Sequence, residues 1–464
     1  MYVKYRFNNC QKIIEKVIFR VSITFIIFKY WKSESLLNCI QKGNKLEISN
    51  IFDNEYVLLC LKVEKLLTID STITFDSDFI RLEKRFLIIH NCIMLNNKII
   101  SQIKRNIGSI TPIIEPVTLC NLSCSYCFVG EKKSARMELS TLEKIISSVI
   151  LHNGKNCITK FIWHGGEPLL AGLDFFREVV NIQNNFKMDG YRILNAIQTN
   201  LTLLNDDYID FFIKNEFGVG TSLDGTKELH DKNRCNSFDT VFKNLQYAKS
   251  KGLHIGVICI LTKETLPHIE EIYCFFRDHN IDFTLSPVIP NTRYSEYILT
   301  TDEYYIALKQ LFGLWYLDKN CKIRVNPCGS IIQSILLKGI NLSCIHSENC
   351  LNHFLTFLPD GDTFPCNRFT DYEQFKIGNI SNMTLTEILD SKKRSELLTR
   401  TIETIDACRK CEFKQYCKGG CMNHAYEFYH TIYERDYYCQ SFFKIFQYIK
   451  KKVNESINNA KFQI

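Results

Sequence analysis

At 464 residues the chain is too long for one ordinary hydrophobic core, which predicts two or three domains. With 45% hydrophobic and 23% charged residues and only 9 Pro and 20 Gly, its composition is that of a globular protein and excludes a mainly disordered or fibrous chain. The net charge of +7 is small for this length, and no basic stripe interleaved with aromatics accompanies it, so nucleic acid is not an expected partner.

Residues 1–108 are rich in Ile, Phe, Leu and Lys and carry no chemical motif. The stretch Val17–Phe28, VIFRVSITFIIF, comes nearest to an export or membrane signal. Arg20 interrupts it, no small-residue cleavage site follows, and it is too short to span a bilayer comfortably. It reads as a buried strand or helix, with a peripheral membrane contact as the alternative. No stable membrane insertion is expected and the compartment is the cytoplasm. In that reducing setting 21 cysteines point to metal or redox chemistry rather than to disulfides. Residues 55–79, EYVLLCLKVEKLLTIDSTITFDSDF, contain β-rich pieces suited to an α+β extension with an edge strand that accepts a peptide. A structural cap over the next domain is the alternative.

From residue 109 to about 320 short β-rich runs alternate with amphipathic helical stretches. The runs are PIIEPVTL, TKFIWHG, RILNAIQTN, FGVGTSLDG, HIGVICILT and DFTLSPVI. Between them Leu142–His152, Phe175–Phe186, Asp207–Lys214, Thr240–Lys251 and Pro267–Asp278 have helical periodicity. Six βα units predict an α/β fold with a parallel sheet, either doubly wound or a partial barrel.

The first run ends at Leu119 and is followed by CNLSCSYCF, which places Cys120, Cys124 and Cys127 on one short loop. Three thiolates suit one corner of a cubane cluster and leave one iron open. Structural zinc is the competing reading, but it prefers four protein ligands and no fourth Cys or His follows on the loop. The C-x3-C-x2-C spacing, with Tyr126 before the third cysteine, resembles the signature of the radical S-adenosylmethionine (radical SAM) superfamily. That resemblance implies a partial (βα)6 TIM-like barrel over residues 109–335. It also implies a [4Fe-4S] cluster whose open iron binds SAM, and cleavage of SAM to a 5′-deoxyadenosyl radical that abstracts a substrate hydrogen.

The later strand ends agree with it. Gly165, Gly166, Glu167 and Pro168 resemble the family's GGEP motif; the glycines allow close backbone approach, and Glu167 offers a carboxylate to an ammonium group. Polar residues then stand at the next two strand ends, where a βα barrel builds its site: Gln198 and Asn200, then Ser222 and Asp224, with Arg234 beyond. By resemblance Ser222 and Arg234 hold the carboxylate or ribose side of SAM and Tyr126 packs on its adenine. A helix cap or surface salt bridge is the alternative for each, above all for Asn200 and Asp224.

Residues 336–445 read as a metal-stapled domain, followed by a helical tail at 446–464. Cys344, Cys350, Cys366, Cys408, Cys411, Cys417, Cys421 and Cys439 lie in order, together with the PDG turn, the Pro365–Cys366 pair and KIGNI at 376–380. This set resembles the SPASM extension of radical SAM enzymes, which implies two auxiliary [4Fe-4S] clusters and three clusters in all. By the family's interleaved pattern, Cys344, Cys350, Cys366 and Cys421 ligate one, and Cys408, Cys411, Cys417 and Cys439 the other. A zinc ribbon is the alternative at 408–421. Of the remaining cysteines, Cys10, Cys39, Cys60, Cys157 and Cys259 sit in apolar runs as small buried hydrophobes. Cys321 and Cys328, near the domain junction, are also read as packing residues.

The resemblance implies an enzyme that modifies peptides or proteins. The expected function is crosslinking or similar maturation of a ribosomally made precursor peptide, with flavodoxin or ferredoxin as electron donor. Anaerobic sulfatase maturation, which forms formylglycine from Cys or Ser, is the alternative within the family. That branch has an aspartate base directly after the Pro-Cys pair, where this chain has Asn367, which is no base at neutral pH. Asn367, Arg368 and Asp371 are catalytic candidates by proximity alone. A zinc-ribbon binding protein is the alternative from another class.

Overall fold

The structure, a computed structural model, describes residues 108–129, 134–337, 343–347 and 349–462. The N-terminal extension, including residues 17–28 and 55–79 and Cys10, Cys39 and Cys60, lies outside the described residues.

Six parallel strands follow the expected alternation: β1 (Thr111–Ile114), β2 (Ile158–Trp163), β3 (Arg192–Gln198), β4 (Gly218–Ser222), β5 (Ile255–Leu261) and β6 (Phe283–Pro287). Between them run α1 (Leu139–Asn153), α2 (Leu173–Met188), α3 (Asp206–Lys214), α4 (Lys227–Asn233), α5 (Phe238–Ser250) and α6 (Ile269–Asp278). Helix starts follow local chemistry: the Asn205 side chain accepts from the Tyr208 N–H to begin α3. The β1 strand stops at Ile114, short of the expected Leu119. Pro116 has no N–H for a ladder, and beyond it Val117 makes only an isolated bridge to Arg136.

Strand pleating sorts the side chains. Phe161, Trp163, Ile193, Ile197, Val219, Val257 and Leu261 are buried under the helices. The opposite face, carrying Ile162, Ala196, Gln198, Gly220 and Ser222, is half-buried and lines the concave side of the partial barrel.

Beyond β6 come α7 (Thr301–Leu317), β7 (Val325–Asn326) and α8 (Cys328–Leu336), with β7 pairing parallel to β6. The cysteine-rich segment then rejoins the same sheet through β8 (Phe354–Phe357), which pairs parallel with β1, and the antiparallel β9 (Asp362–Phe364) and β10 (Gly378–Asn379). The order of the ten-stranded sheet is β10-β9-β8-β1-β2-β3-β4-β5-β6-β7. The C-terminal region thus shares a sheet with the barrel and is held by more than metal. Tyr438, Phe442, Ile445, Phe446 and Ile449 belong to the main hydrophobic core. The last four lie on one helix, α10 (Cys439–Phe462), so the expected tail at 446–464 continues an element that starts at a cysteine. An earlier helix, α9 (Met422–Tyr429), starts just after Cys421.

Candidate active site

The site lies at the carboxyl ends of the strands, where the loop Leu119–Phe128 leaves β1. Gly166 and Glu167 of the GGEP segment hold this loop. The Gly166 N–H donates to the Val117 carbonyl at 3.4 Å and the Glu167 N–H to the Leu119 carbonyl at 2.8 Å. A Cβ at Gly166 would lie 2.0 Å from the Leu119 oxygen, so glycine is required there. Gly165 takes φ +106° over Glu115. Glu167 is buried with both oxygens engaged: Oε1 accepts from Thr199 Oγ1 at 2.7 Å and from the Leu169 N–H at 3.0 Å, and Oε2 from the Asn200 N–H at 2.7 Å. The carboxylate expected to meet an ammonium group also ties the end of β2 to the end of β3. Burial raises its pKa despite these donors. Pro168 begins a short 3-10 turn.

A second clamp comes from residues 222–237. Arg234 Nε donates to Asp224 Oδ2 at 2.8 Å, and the Tyr126 hydroxyl donates to the same oxygen. The Arg234 guanidinium stands 5.2 Å from the Tyr126 ring centroid, over its face. Arg234 Nη1 also reaches Cys124 Sγ at 3.9 Å. The Ser125 N–H donates to the Asn233 carbonyl at 3.0 Å, which fixes the middle of the cysteine loop. Tyr126, Asp224 and Arg234 are therefore bound to one another. Asn200 Nδ2 donates to Asn121 Oδ1 at 2.9 Å and points at Cys120 Sγ at 3.9 Å. Gln198 Nε2 meets Ser222 Oγ at 3.4 Å on the concave face.

The three loop thiols are electrostatic neighbours. Burial pushes Cys124 up to about 11, with Arg234 opposing and Cys127 and Cys120 adding. The C-terminal thiols fall into two groups. Cys350 feels Cys421 and Cys344, and Cys366 feels Cys350 and Cys421. Cys417 feels Cys439, Cys408 and Cys411, and Cys439 feels Cys408 and Cys411. Burial pushes both Cys350 and Cys439 up to about 12. Thiols that disfavour one another's charge fit a bound cationic cluster, which would lower them together. Among the described residues no three Cys, His, Asp or Glu side chains converge on a point, as a single ion needs; a cubane receives each thiolate at its own iron. Of the other cysteines, Cys259 and Cys328 are fully buried as packing predicts, whereas Cys157 and Cys321 are half-buried.

Several residues were not singled out from the sequence. Arg400, 4% exposed, donates to the carbonyls of Ile432, Gly419, Gly420 and Glu434 and faces thiols of both groups, Cys421, Cys350 and Cys408. His424 stands beside Arg368, already a candidate by proximity, whose Nη1 reaches His424 Nε2 at 2.9 Å and Cys421 Sγ at 3.6 Å. His424 Nδ1 meets the buried Asp436, which also accepts from the Cys421 N–H at 2.7 Å. His164, at the end of β2, accepts at Nδ1 from the Gly165 N–H at 2.7 Å and from Asn367 Nδ2 at 3.1 Å. That places its ring proton on Nε2. Burial and the nearby Arg368 hold the imidazole down to about 4. Asn367 thus joins the cysteine-rich turn to the barrel. Only position within a motif hints at these residues: His164 precedes GGEP, and Asp436 lies three residues before Cys439.

A parallel α/β half-barrel with a three-cysteine loop after its first strand, continued by a domain with two thiol quartets, defines a class of cysteine-rich barrel enzymes. Residues 114–276 match the Radical SAM superfamily and residues 344–412 match SPASM, an iron-sulfur cluster-binding domain. The chain is 31% identical over 369 residues to a cysteine-type anaerobic sulfatase-maturating enzyme of Clostridium perfringens, covering 75% of this chain and 98% of that protein. It also superposes on native anSMEcpe with bound AdoMet and Kp18Cys peptide, with a TM-score of 0.67 and 29% identity over 76% of this chain and 99% of that one. Streptococcus suis SuiB bound to precursor peptide SuiA shares the fold, with a TM-score of 0.56 at 18% identity over 82% of this chain and 87% of that one. The chain belongs to the radical SAM superfamily, carries a SPASM domain and is an enzyme. Its cofactors are [4Fe-4S] clusters and SAM, and the zinc-ribbon alternative gives way. Among the described residues no helix is long and apolar enough to cross a membrane.

Proposed function

We propose that this enzyme matures a ribosomally made precursor peptide in the cytoplasm, starting from hydrogen abstraction at one residue of the bound peptide. Cys120, Cys124 and Cys127 would hold the SAM-binding cluster. Cys344, Cys350, Cys366 and Cys421 would hold one auxiliary cluster, and Cys408, Cys411, Cys417 and Cys439 the other. When bound, the first cluster would supply the electron, delivered by a flavodoxin or ferredoxin, that cleaves SAM and generates the abstracting radical. The chain's own part is positional. Gly166 and Glu167 fix the loop, the Asp224–Arg234 pair holds Tyr126 and Cys124 in place, and Gln198, Asn200 and Ser222 present polar atoms toward the concave face.

Position 367 carries the choice of substrate. The amide of Asn367 is spent on His164 Nδ1, so the residue after the Pro-Cys pair supplies no base. Sulfatase maturation is the second reading, favoured by the likeness across nearly the whole of a cysteine-type maturase. The test is anaerobic turnover by the reconstituted full chain. The probes are a cysteine-containing sulfatase-motif peptide and any short Cys-, Asp- or Thr-rich peptide encoded beside the gene. Formylglycine in the first probe, with the second unchanged, rejects precursor maturation. Undiminished release of 5′-deoxyadenosine by Cys120→Ala rejects the radical site.

A further inference from the structure

The end of β1 carries a buried acid that the reading above leaves unused. Glu115 is 3% exposed and follows Ile114, which is fully buried under the helices. Strand alternation turns Glu115 to the other face, the concave one, beside Ile162 and His164 of β2. The strand ends are in register here: the His164 N–H donates to the Ile114 carbonyl at 2.9 Å, and the Glu115 N–H to the Phe357 carbonyl of β8 at 3.0 Å. Gly165 closes over the side chain, and a Cβ there would lie 2.9 Å from Glu115 Cβ and 3.0 Å from Oε2. Glu115 Oε1 has no hydrogen-bond partner among the described residues.

The charged group acting on Glu115 is another acid. Asp371 faces it from the turn after β9, and burial with that repulsion raises its pKa to about 8. The end of β2 contributes His164, whose imidazole is neutral, and Arg368 faces His164 and the thiols of Cys421, Cys344 and Cys366. An unmet buried acceptor facing a second carboxylate is destabilising, and such arrangements concentrate at functional sites.

We propose that Glu115 is the proton acceptor for the residue being modified, receiving the proton of a substrate S–H, O–H or N–H directly or through one water. The X–H bond breaks, its electron pair stays on the substrate heteroatom, and an O–H bond forms on the Glu115 carboxylate. The inference rests on the radical SAM reading. It supplies from β1 the base that position 367 lacks, on the wall Gly165 shares with the cysteine loop. A carboxyl titrating near the working pH suits this role, because it is partly ionised before the step and holds the proton after it. Asp371 is a positioning residue that sets where Glu115 titrates.

The test uses the anaerobically reconstituted full chain and its Glu115→Gln variant, which preserves shape. With the peptide probes named above, the variant should lose product formation by about 100-fold or more. It should still cleave SAM to 5′-deoxyadenosine under dithionite, now uncoupled from product. Loss of SAM cleavage with iron content intact would assign Glu115 to SAM binding and overturn the proposal. Potentiometric titration needs no peptide: wild type should release one more proton per chain than the variant, with a midpoint near pH 8. Should Glu115→Gln fail to load iron, Asp371→Asn decides. Removing that negative charge should move the midpoint to lower pH, and an unmoved midpoint overturns the idea. Absence of SAM cleavage in wild type would instead defeat the family reading.

Discussion

Replacing Gly166 by alanine tests whether GGEP acts by holding the cysteine loop. The added methyl would sit 2.0 Å from the Leu119 oxygen, 2.5 Å from its carbonyl carbon and 2.6 Å from the Thr118 oxygen. A carbon tolerates a carbonyl oxygen at about 3.3 Å, so the loop must retreat by about 1.3 Å. All three atoms are backbone, so no side chain can rotate away. The retreat breaks the bonds from Gly166 and Glu167 to the loop just before Cys120. Misplacement by about 1 Å costs a catalytic site on the order of 100-fold. The assay is iron and sulfide per chain after anaerobic reconstitution, together with 5′-deoxyadenosine release. Three cubanes give about 12 irons, and Gly166→Ala should fall toward about 8 while SAM cleavage collapses. Gly313→Ala is the control, because nothing lies within 4 Å of its Cβ and its place inside α7 favours alanine by about 0.5–1 kcal/mol. A Gly166→Ala enzyme with a full complement of iron and normal SAM cleavage would refute the steric argument.

Cys421→Ala and Cys408→Ala should each remove a different auxiliary signal in electron paramagnetic resonance. Loss of the same signal in both would restore a single knuckle at 408–421. Arg400→Leu leaves three buried carbonyls, and that of the exposed Glu434, without their donor and takes a cation from thiols of both quartets, so both auxiliary signals should weaken together. If only one weakens, Arg400 does not link the two. His230 is fully buried, and burial lowers its imidazole to about 4 from an ordinary value near 6.5. The unfolded chain binds that proton more readily, so this contribution is present above pH 6.5 and is lost as pH falls toward 4. About 3 kcal/mol is at stake over the window, and about 2 kcal/mol of it is gone by pH 5. Comparing thermal unfolding of wild type and His230→Gln at pH 7 and pH 5 checks this: the variant should lose less on acidification, and equal losses would contradict it.

The alternating strands were legible because each β-rich run is a buried strand with apolar residues under the helices, and each helix has one apolar face. The cysteines were legible because their spacing is itself the chemistry; in the structure Cys350 and Cys366 have Cys344 or Cys421 as electrostatic neighbours, and Cys417 and Cys439 have Cys408 and Cys411. Pairings between distant segments were not legible. Nothing near Glu115 announces Asp371, which is 256 positions away (371 − 115), and nothing near Asn367 announces His164. The anchoring role of Glu167 was not legible for the same reason. Its partners Thr199 and Asn200 lie on the next strand end, and only the fold shows that both oxygens are already in use.

The β1–β8 pairing explains why those distant pairs form where they do. Thr111–Ile114 lies in register with Phe354–Phe357, so the first barrel strand is also the entry to the cysteine-rich domain. The loop with Cys120 leaves one end of that shared ladder, and the turn with Cys366, Asn367 and Asp371 leaves the adjacent hairpin of β8 and β9. Backbone hydrogen bonds rather than flexible side chains therefore set the distance between the two sites. The rim of the concave face belongs to one sheet: Glu115 follows β1, His164 follows β2, and the turn after β9 carries Asn367 and Asp371. Substitutions that shift β8 against β1 should therefore disturb Glu115 and the first auxiliary quartet together, while the quartet closed by Cys439, held on α10, is disturbed less.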